Sequence, residues 1–167
     1  MFGIRYIVTE SSSMTITMPD PATTPHLVHT EITINAPVAF IWDVLVDFES
    51  YDTWNPFTFD FNISRFAVGQ GLDFRVRMSD NMQLTVKERF AVIDAPYAVA
   101  WTYAQATYFL DATRYQVLKP IDDQTTSYAT WEQFSGILAP VLSLTLLGYV
   151  KRGFEDVAVA LKRHVES

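Results

Sequence analysis

The stretch from residue 57 to residue 134 carries one strand pattern after another, with no helical pattern between them. Apolar residues alternate with polar ones in Phe57–Ser64, Leu72–Met78 and Met82–Ile93, and short polar turns separate these runs. The series continues with Val99–Tyr103, Tyr108–Lys119 and Thr125–Phe134. In the first run the sequence predicts that Phe57, Phe59, Phe61 and Ile63 share one face. Strands joined by short turns pair antiparallel, so six consecutive strands predict an antiparallel meander.

Three further elements precede the meander. Leu27–Asn35 alternates apolar and polar residues, which predicts a half-buried strand. Pro37 suits the first turn of a helix, and apolar residues recur at helical spacing from Val38 to Asp47. A short helix or turn is expected next, over residues 48–53.

A single long helix is expected at the C-terminal end of the sequence. Gly136 and Pro140 indicate its start, and it could run to about His164, roughly 37 Å at 1.5 Å per residue. Its second half carries an apolar stripe, whereas its first half, Val141 to Leu147, is apolar nearly all round. That asymmetry predicts deeper burial at the N-terminal end of the helix.

This order of elements predicts an α+β fold. A curved seven-stranded antiparallel sheet would wrap around the long C-terminal helix, with two short helices after the first strand. We expect one domain over residues 27–167. Residues 1–26, which contain Ser11–Ser13 and three prolines, are expected to form a flexible tail, and Met14 or Met18 could be the native start.

Composition limits the possible partners. The formal charge of −7, with no cluster of basic residues, argues against nucleic acid. No apolar run approaches the roughly 20 residues that span a bilayer, so we expect no stable membrane insertion. The chain has no cysteine, which excludes disulfides and fits a reducing compartment, so a cytoplasmic location is expected. The sequence leaves the oligomeric state open.

Four segments together resemble the SRPBCC superfamily. They are Glu31–Pro37 with Ile41–Leu45, Tyr51 with Trp54–Phe57, and Glu132–Gly136 before the terminal helix. The resemblance covers the chain apart from its tail and implies the helix-grip fold of START-like and polyketide cyclase/dehydrase-like proteins. That fold makes an internal cavity more probable than a fully packed core. Its members include ligand carriers, cyclases, oxygenase domains and co-chaperones, so no single reaction is implied.

Aromatic residues make up 14% of the chain and would supply either a bulky core or the wall of a cavity. Trp54 and Phe57 lie where the short helices meet the sheet, so they either contact a ligand or close one end of the core. Further candidates for the cavity wall come from the strands and the long helix: Phe74, Trp101, Tyr108, Phe134 and Tyr149. For each of these, core packing is the alternative. Asn55 is expected to cap the turn.

Arg114 and Glu132 are the polar candidates. If the hairpin centre lies near residue 123, they are directly opposite on adjacent strands and share one face with Leu110, Leu118 and Phe134. Such a pair could orient the carboxylate, carbonyl or hydroxyl of a ligand. The alternatives are a structural ion pair, or exposure on the convex face after a one-residue slip. Relatives in this superfamily often have histidine at the position of Arg114. A catalytic role of that histidine therefore does not carry over to Arg114.

No assembled catalytic machinery is evident. The three histidines, His26, His29 and His164, fall in the tail, the first strand and the last helical turn, so they form neither a metal cluster nor a general-base site. No nucleophile elbow, zinc-protease or phosphate-loop motif occurs, so neither a metal nor a cofactor is expected. The sequence therefore favours a protein that binds or carries a hydrophobic, lipid-like or polyketide-like molecule. One alternative is a polyketide cyclase or dehydratase that uses Arg114, Glu132 or Tyr108. The other alternative is a protein-interaction module.

Overall fold

The computed structural model describes residues 16–103 and 109–167. Its centre is a seven-stranded antiparallel sheet in the order β1-β7-β6-β5-β4-β3-β2, so the first strand pairs with the last. The strands are β1 Leu27–Ile34, β2 Thr58–Ile63, β3 Gly71–Ser79, β4 Met82–Asp94, β5 Ala98–Tyr103, β6 Asp111–Asp122 and β7 Thr125–Ser135.

Two short helices connect β1 to β2. Helix α1, Val38–Val46, follows the extended Pro37 and buries Ile41, Trp42 and Leu45. A 3-10 turn at Phe48–Ser50 leads into α2, Tyr51–Trp54. The apolar residues of these elements therefore close one end of the sheet.

The long C-terminal helix α4, Leu147–Glu166, lies along the concave face of the sheet. Its buried stripe includes Val150, Phe154, Val157 and Leu161, which is the spacing of one helical face. The curved sheet around this helix confirms the predicted helix-grip fold.

The prediction of one uninterrupted terminal helix is wrong. A separate helix, α3, covers Ala139–Thr145 and ends before Leu146. The predicted deep burial of this part is also wrong, because Val141 is 60% and Leu144 is 88% exposed. Helix α3 packs mainly against α4. It buries Ala139 and leaves Val141 and Leu144 exposed.

The predicted alternation in β2 is interrupted by a bulge. Asp60 has a φ of 57°, and the register with β3 shifts between Phe59 and Asn62. The alternation predicted that Phe59 shares the inner face with Phe57 and Phe61, and this prediction is wrong for Phe59. Its ring lies under the guanidinium groups of two outward arginines of β3, Arg75 and Arg77.

Residues 1–15 of the predicted N-terminal tail, which spans residues 1–26, lie outside the described residues. Residues 16–26 contain turns and no helix or strand. In the described part of the chain, no helix is both long enough and apolar enough to cross a membrane.

Candidate functional site

The pairing of the strands places Arg114 and Glu132 side by side. Arg114 is directly opposite Glu132 on β7 and Trp101 on β5. The same row continues from Trp101 to Phe90 on β4, and from Glu132 to Val28 on β1. Alternation along a strand gives every member of such a row the same face of the sheet.

The surroundings of Arg114 show that this face is the inner one. Its side chain is only 4% exposed. The guanidinium carbon lies 4.2 Å from the ring centre of Phe154 on α4 and 5.7 Å from that of Trp101. Arg114 Nε donates a hydrogen bond of 3.3 Å to the hydroxyl of Thr130. The arginine is thus held between the sheet and the long helix.

No carboxylate neutralises this arginine at contact distance. Among the described residues, no Asp or Glu oxygen lies within 4.0 Å of a guanidinium nitrogen of Arg114. The structural ion pair that the sequence left open is therefore absent between Arg114 and Glu132. A buried cation usually has such a partner, because desolvation of an unpaired charge is costly.

Glu88 is a third member of this cluster. It lies two residues before Phe90 on β4, on the same inner face, and pairs with Tyr103. Its charge interacts unfavourably with that of Glu132 and favourably with that of Arg114. We call Glu88, Arg114 and Glu132 the polar recess. The sequence carried a signal for Glu88, because it is the single polar residue on the apolar face of β4.

Both carboxyl groups of the polar recess favour their protonated form. Burial raises the pKa of Glu132 to about 7, although the Arg114 charge opposes the shift. Burial, and then the charge of Glu132, raise the pKa of Glu88 well above its usual value. Both side chains nevertheless keep some accessible surface. Each carboxyl group is therefore desolvated and still partly accessible.

The exposure of the described residues differs between the two ends of the inner face. Tyr103, Ala112 and Phe134 are half-buried, whereas Gln116 and Thr130, one row deeper than Arg114 and Glu132, are 2% and 0% exposed. The polar recess therefore lies between an accessible end and a closed end of the interior.

The closed end holds a buried hydrogen-bond network. The Tyr128 hydroxyl donates to Gln116 Oε1 at 2.7 Å, and the Tyr51 hydroxyl donates to the carbonyl of Leu45 at 2.8 Å. Gln116 Nε2 has no hydrogen bond of good geometry, although this amide is near enough to Tyr51 to lower its pKa slightly. Burial outweighs that effect and raises the pKa of both Tyr51 and Tyr128.

Two of the aromatic residues predicted to line a cavity, Phe74 and Trp101, contact each other and neighbouring rings. Phe74 stacks on Phe61 with ring centres 4.8 Å apart and meets Trp101 edge-on at 6.2 Å. Phe48 also contacts Trp101, at 6.2 Å. Among the described residues, Trp101 contacts both this aromatic cluster and Arg114.

Trp54 and Phe57 contact α4. Trp54 stacks on His164 with ring centres 6.1 Å apart. Phe57 meets Phe154 edge-on at 6.0 Å and lies directly against Gly153. Between them, Asn55 Oδ1 accepts hydrogen bonds from two following backbone N–H groups, which is the turn-capping role that its position predicted.

The remaining predicted residues lie near the accessible end or outside it. Phe134 is half-buried on the inner face beside Ala112. Tyr149 is 37% exposed, and the Arg152 guanidinium covers its ring. Tyr108 is outside the described residues. The structure therefore brings Arg114, Glu132, Trp101 and Phe134 to one face, and it gives Tyr149 a different surrounding.

A separate groove of about 560 Å³ runs between the edge strand β1 and α4. Its wall includes Thr30, Glu31, Lys151 and Glu155, but no member of the polar recess. In the described part of the chain, no cluster of three or more His, Asp or Glu side chains is arranged to hold a metal ion.

The fold of this chain is similar to that of known proteins. The family model described as "Polyketide cyclase / dehydrase and lipid transport" matches residues 25–166. A Streptomyces protein described as the Zhui aromatase/cyclase has a TM-score of 0.68 at 20% identity, over 84% of this chain and 94% of that chain. A START superfamily protein from Mycobacterium smegmatis has a TM-score of 0.69 at 19% identity, over 84% of this chain and 97% of the other. A search of the curated proteins finds no match.

Proposed function

We propose, from the premise that this chain belongs to the polyketide cyclase / dehydrase and lipid transport family, that it binds a hydrophobic small molecule between its sheet and its long helix. The apolar body of the ligand would lie along the inner face towards Phe134. An oxygen-bearing group of the ligand would contact the polar recess. The observation that carries this proposal is Arg114, which is 4% exposed yet has no carboxylate within 4.0 Å.

The balance of energies around Arg114 supports a ligand there. The ring faces of Phe154 and Trp101 each contribute about 0.5–2 kcal/mol of attraction to a guanidinium. The neutral hydroxyl of Thr130 supplies one further hydrogen bond, worth about 1 kcal/mol. A guanidinium carries five N–H donors. Thr130 accepts from one and the Tyr128 hydroxyl lies within reach of another, so this environment leaves donors available. A carbonyl or carboxylate oxygen on a bound molecule would fit them.

A binding titration tests this function. The probe is 2-acetylnaphthalene, which combines an apolar aromatic body with one carbonyl, and protein fluorescence reports its binding. Arg114→Met keeps the apolar stem but removes the donors, and we expect at least about tenfold weaker binding, since a hydrogen bond to a charged group is worth about 1.5–3 kcal/mol. Arg75→Met removes an exposed arginine of β3 and is the matched control.

The titration has a clear negative result. Wild-type protein that fails to bind, or binding that is equally strong in Arg114→Met, would overturn the proposal. Thermal unfolding of each variant shows whether a loss of binding reflects a loss of the fold.

A second candidate function is a cyclase or dehydratase reaction in the same recess. The observation in its favour is Glu132, because burial raises its pKa to about 7. A carboxyl group that exchanges a proton near neutral pH suits general acid–base catalysis. Arg114 beside it would stabilise an enolate oxygen.

The two candidates differ in the effect of Glu132→Gln. A β-hydroxy ketone with a naphthyl group serves as the test substrate, because loss of water extends its conjugation and changes its absorbance. An enzyme would dehydrate it, and Glu132→Gln would abolish turnover while keeping the substrate bound. A carrier would bind the β-hydroxy ketone and leave it unchanged, in both forms of the protein.

A further inference from the structure

The polar recess combines one cation with two carboxyl groups, and its total charge depends on their protons. With both carboxylates ionised, the recess carries a net charge of about −1. With both protonated, it carries about +1 and also offers two O–H donors. The first state would favour cationic ligand groups, and the second would favour anionic ones.

In the part of the chain that the structure describes, the elements around the recess bring no other charged side chain to it. Tyr103 of β5, directly opposite Glu88, is a further titratable group on this face. On α4, the buried residues that face the sheet are all uncharged: Val150, Gly153, Phe154, Val157, Ala158, Leu161 and Val165. From the sheet, Glu88 comes from β4, Arg114 from β6 and Glu132 from β7. Tyr51 and Tyr128 lie behind them, and burial raises the pKa of both hydroxyl groups above the usual value. The charge of the recess therefore rests on Glu88 and Glu132 alone.

We propose that the ligand presents an anionic oxygen group, a carboxylate or an enolate, to Arg114, and that Glu88 and Glu132 hold protons in the complex. This inference rests on the proposed binding function and narrows its ligand class. The Arg114 guanidinium donates hydrogen bonds to the anion, and the protonated carboxyl groups donate hydrogen bonds or remain neutral beside it. The apolar face of α4 excludes water from the resulting charge pair.

Binding of an anion should then be coupled to proton uptake. The positive charge of Arg114 favours the ionised form of Glu132. An anion bound to Arg114 neutralises that charge and also repels an ionised Glu132, so it favours protonation of Glu132. The complex therefore holds more protons than the free protein at neutral pH. By linkage, affinity for the anion falls as pH rises through about 7, by up to about tenfold per pH unit for each proton taken up.

Calorimetry at several pH values tests this coupling. The anionic probe is 2-naphthoic acid, which stays ionised between about pH 6 and 8, and the neutral probe of similar shape is 2-acetylnaphthalene. Titrations in buffers with different enthalpies of ionisation give the number of protons taken up. We expect wild-type protein to bind naphthoate at least about fivefold more tightly at pH 6 than at pH 8. Affinity for the neutral ketone should change much less.

Glutamine variants locate the protons. Glu132→Gln places a neutral amide donor where the protonated carboxyl would be, so it should bind naphthoate at pH 8 at least as tightly as wild type does at pH 6. Its proton uptake should fall. Glu88→Gln should reduce the remaining uptake. Glu49→Gln, at an exposed position, is the control and should leave both the affinity and the uptake unchanged.

The outcomes separate this inference from the proposed function. Binding of the ketone, with no tighter binding of naphthoate and no proton uptake, would overturn the anion inference and leave the binding function standing. Failure of both probes would overturn the two together. Proton uptake that persists in the double variant Glu88→Gln/Glu132→Gln would also overturn the assignment to these carboxyl groups.

Discussion

The contact between Phe57 and Gly153 gives the sharpest prediction about how α4 lies against the sheet. A Cβ atom on Gly153 would lie 2.3 Å from Cδ2 of Phe57. Ordinary contact between carbon atoms needs about 3.5–4.0 Å, so Gly153→Ala requires the ring or the helix to move by more than about 1 Å. At Gly148, on the same helix, no described residue beyond the adjacent helical backbone comes within 4 Å of such a Cβ.

The two glycines therefore predict opposite effects of the same substitution. Replacing glycine by alanine in a helix stabilises it by up to about 1 kcal/mol, and Gly148→Ala should show some of this gain. At Gly153 the same gain is opposed by an overpacking cost of about 1–3 kcal/mol. We expect Gly153→Ala to be less stable than Gly148→Ala by about 1–3 kcal/mol.

Urea denaturation of both variants measures this difference. The double variant Phe57→Leu/Gly153→Ala adds a check, because a smaller side chain at residue 57 should remove much of the penalty. If Gly153→Ala equals or exceeds Gly148→Ala in stability, α4 does not contact Phe57 as closely as described. The displaced ring would also press on Phe154, which carries the Arg114 guanidinium, so naphthoate binding should weaken in Gly153→Ala.

Three other predictions concern stability. The folded state holds the proton of Glu132 to about pH 7, so the free energy of unfolding should fall as pH rises from about 4.5 to 7. Glu132→Gln should be more stable than wild type by up to about 3 kcal/mol at pH 8 and equally stable below pH 4.5. Urea titrations at both pH values check this, and equal curves at pH 8 would contradict it. Tyr128→Phe removes the hydrogen bond to Gln116 and should cost about 1–3 kcal/mol in urea denaturation; an unchanged midpoint would show that this amide has another partner. Leu161 is fully buried, so Leu161→Ala should cost about 2–5 kcal/mol of stability. The side chain of Leu144 is 88% exposed, so Leu144→Ala should stay within about 0.5 kcal/mol of wild type in thermal unfolding. A large loss of stability in Leu144→Ala would mean that another element covers α3.

Local sequence patterns were enough to predict the sheet and the Arg114–Glu132 register. The polar turn near residue 123 places the centre of the β6–β7 hairpin. Beyond a register shift between Pro120 and Asp122, a regular two-residue alternation carries the register along both strands. Because the same alternation turns Tyr115 and Trp131 to the outer face, where they stack 5.1 Å apart, Arg114 and Glu132 have to face inward.

Features that depend on distant contacts could not be predicted in this way. A bulge at Asp60 reverses the side-chain directions in β2, and nothing in the alternation of β2 reveals it. The apolar pattern of α3 indicates a surface that prefers burial, but it cannot show whether another element covers that surface. Glu88 was visible as a polar exception, yet its nearness to Glu132 depends on two intervening strands.

The central claim is that a hydrophobic molecule binds with its oxygen group on Arg114. The most direct measurement is the Nε–H signal of Arg114 in a ¹H–¹⁵N spectrum, assigned with Arg114→Met and followed as 2-naphthoic acid is added. We predict a saturable shift of this signal, while the signals of exposed arginines such as Arg75 stay in place. Saturable binding that leaves the Arg114 signal unmoved, and shifts residues of the β1–α4 groove such as Lys151 instead, would contradict the account.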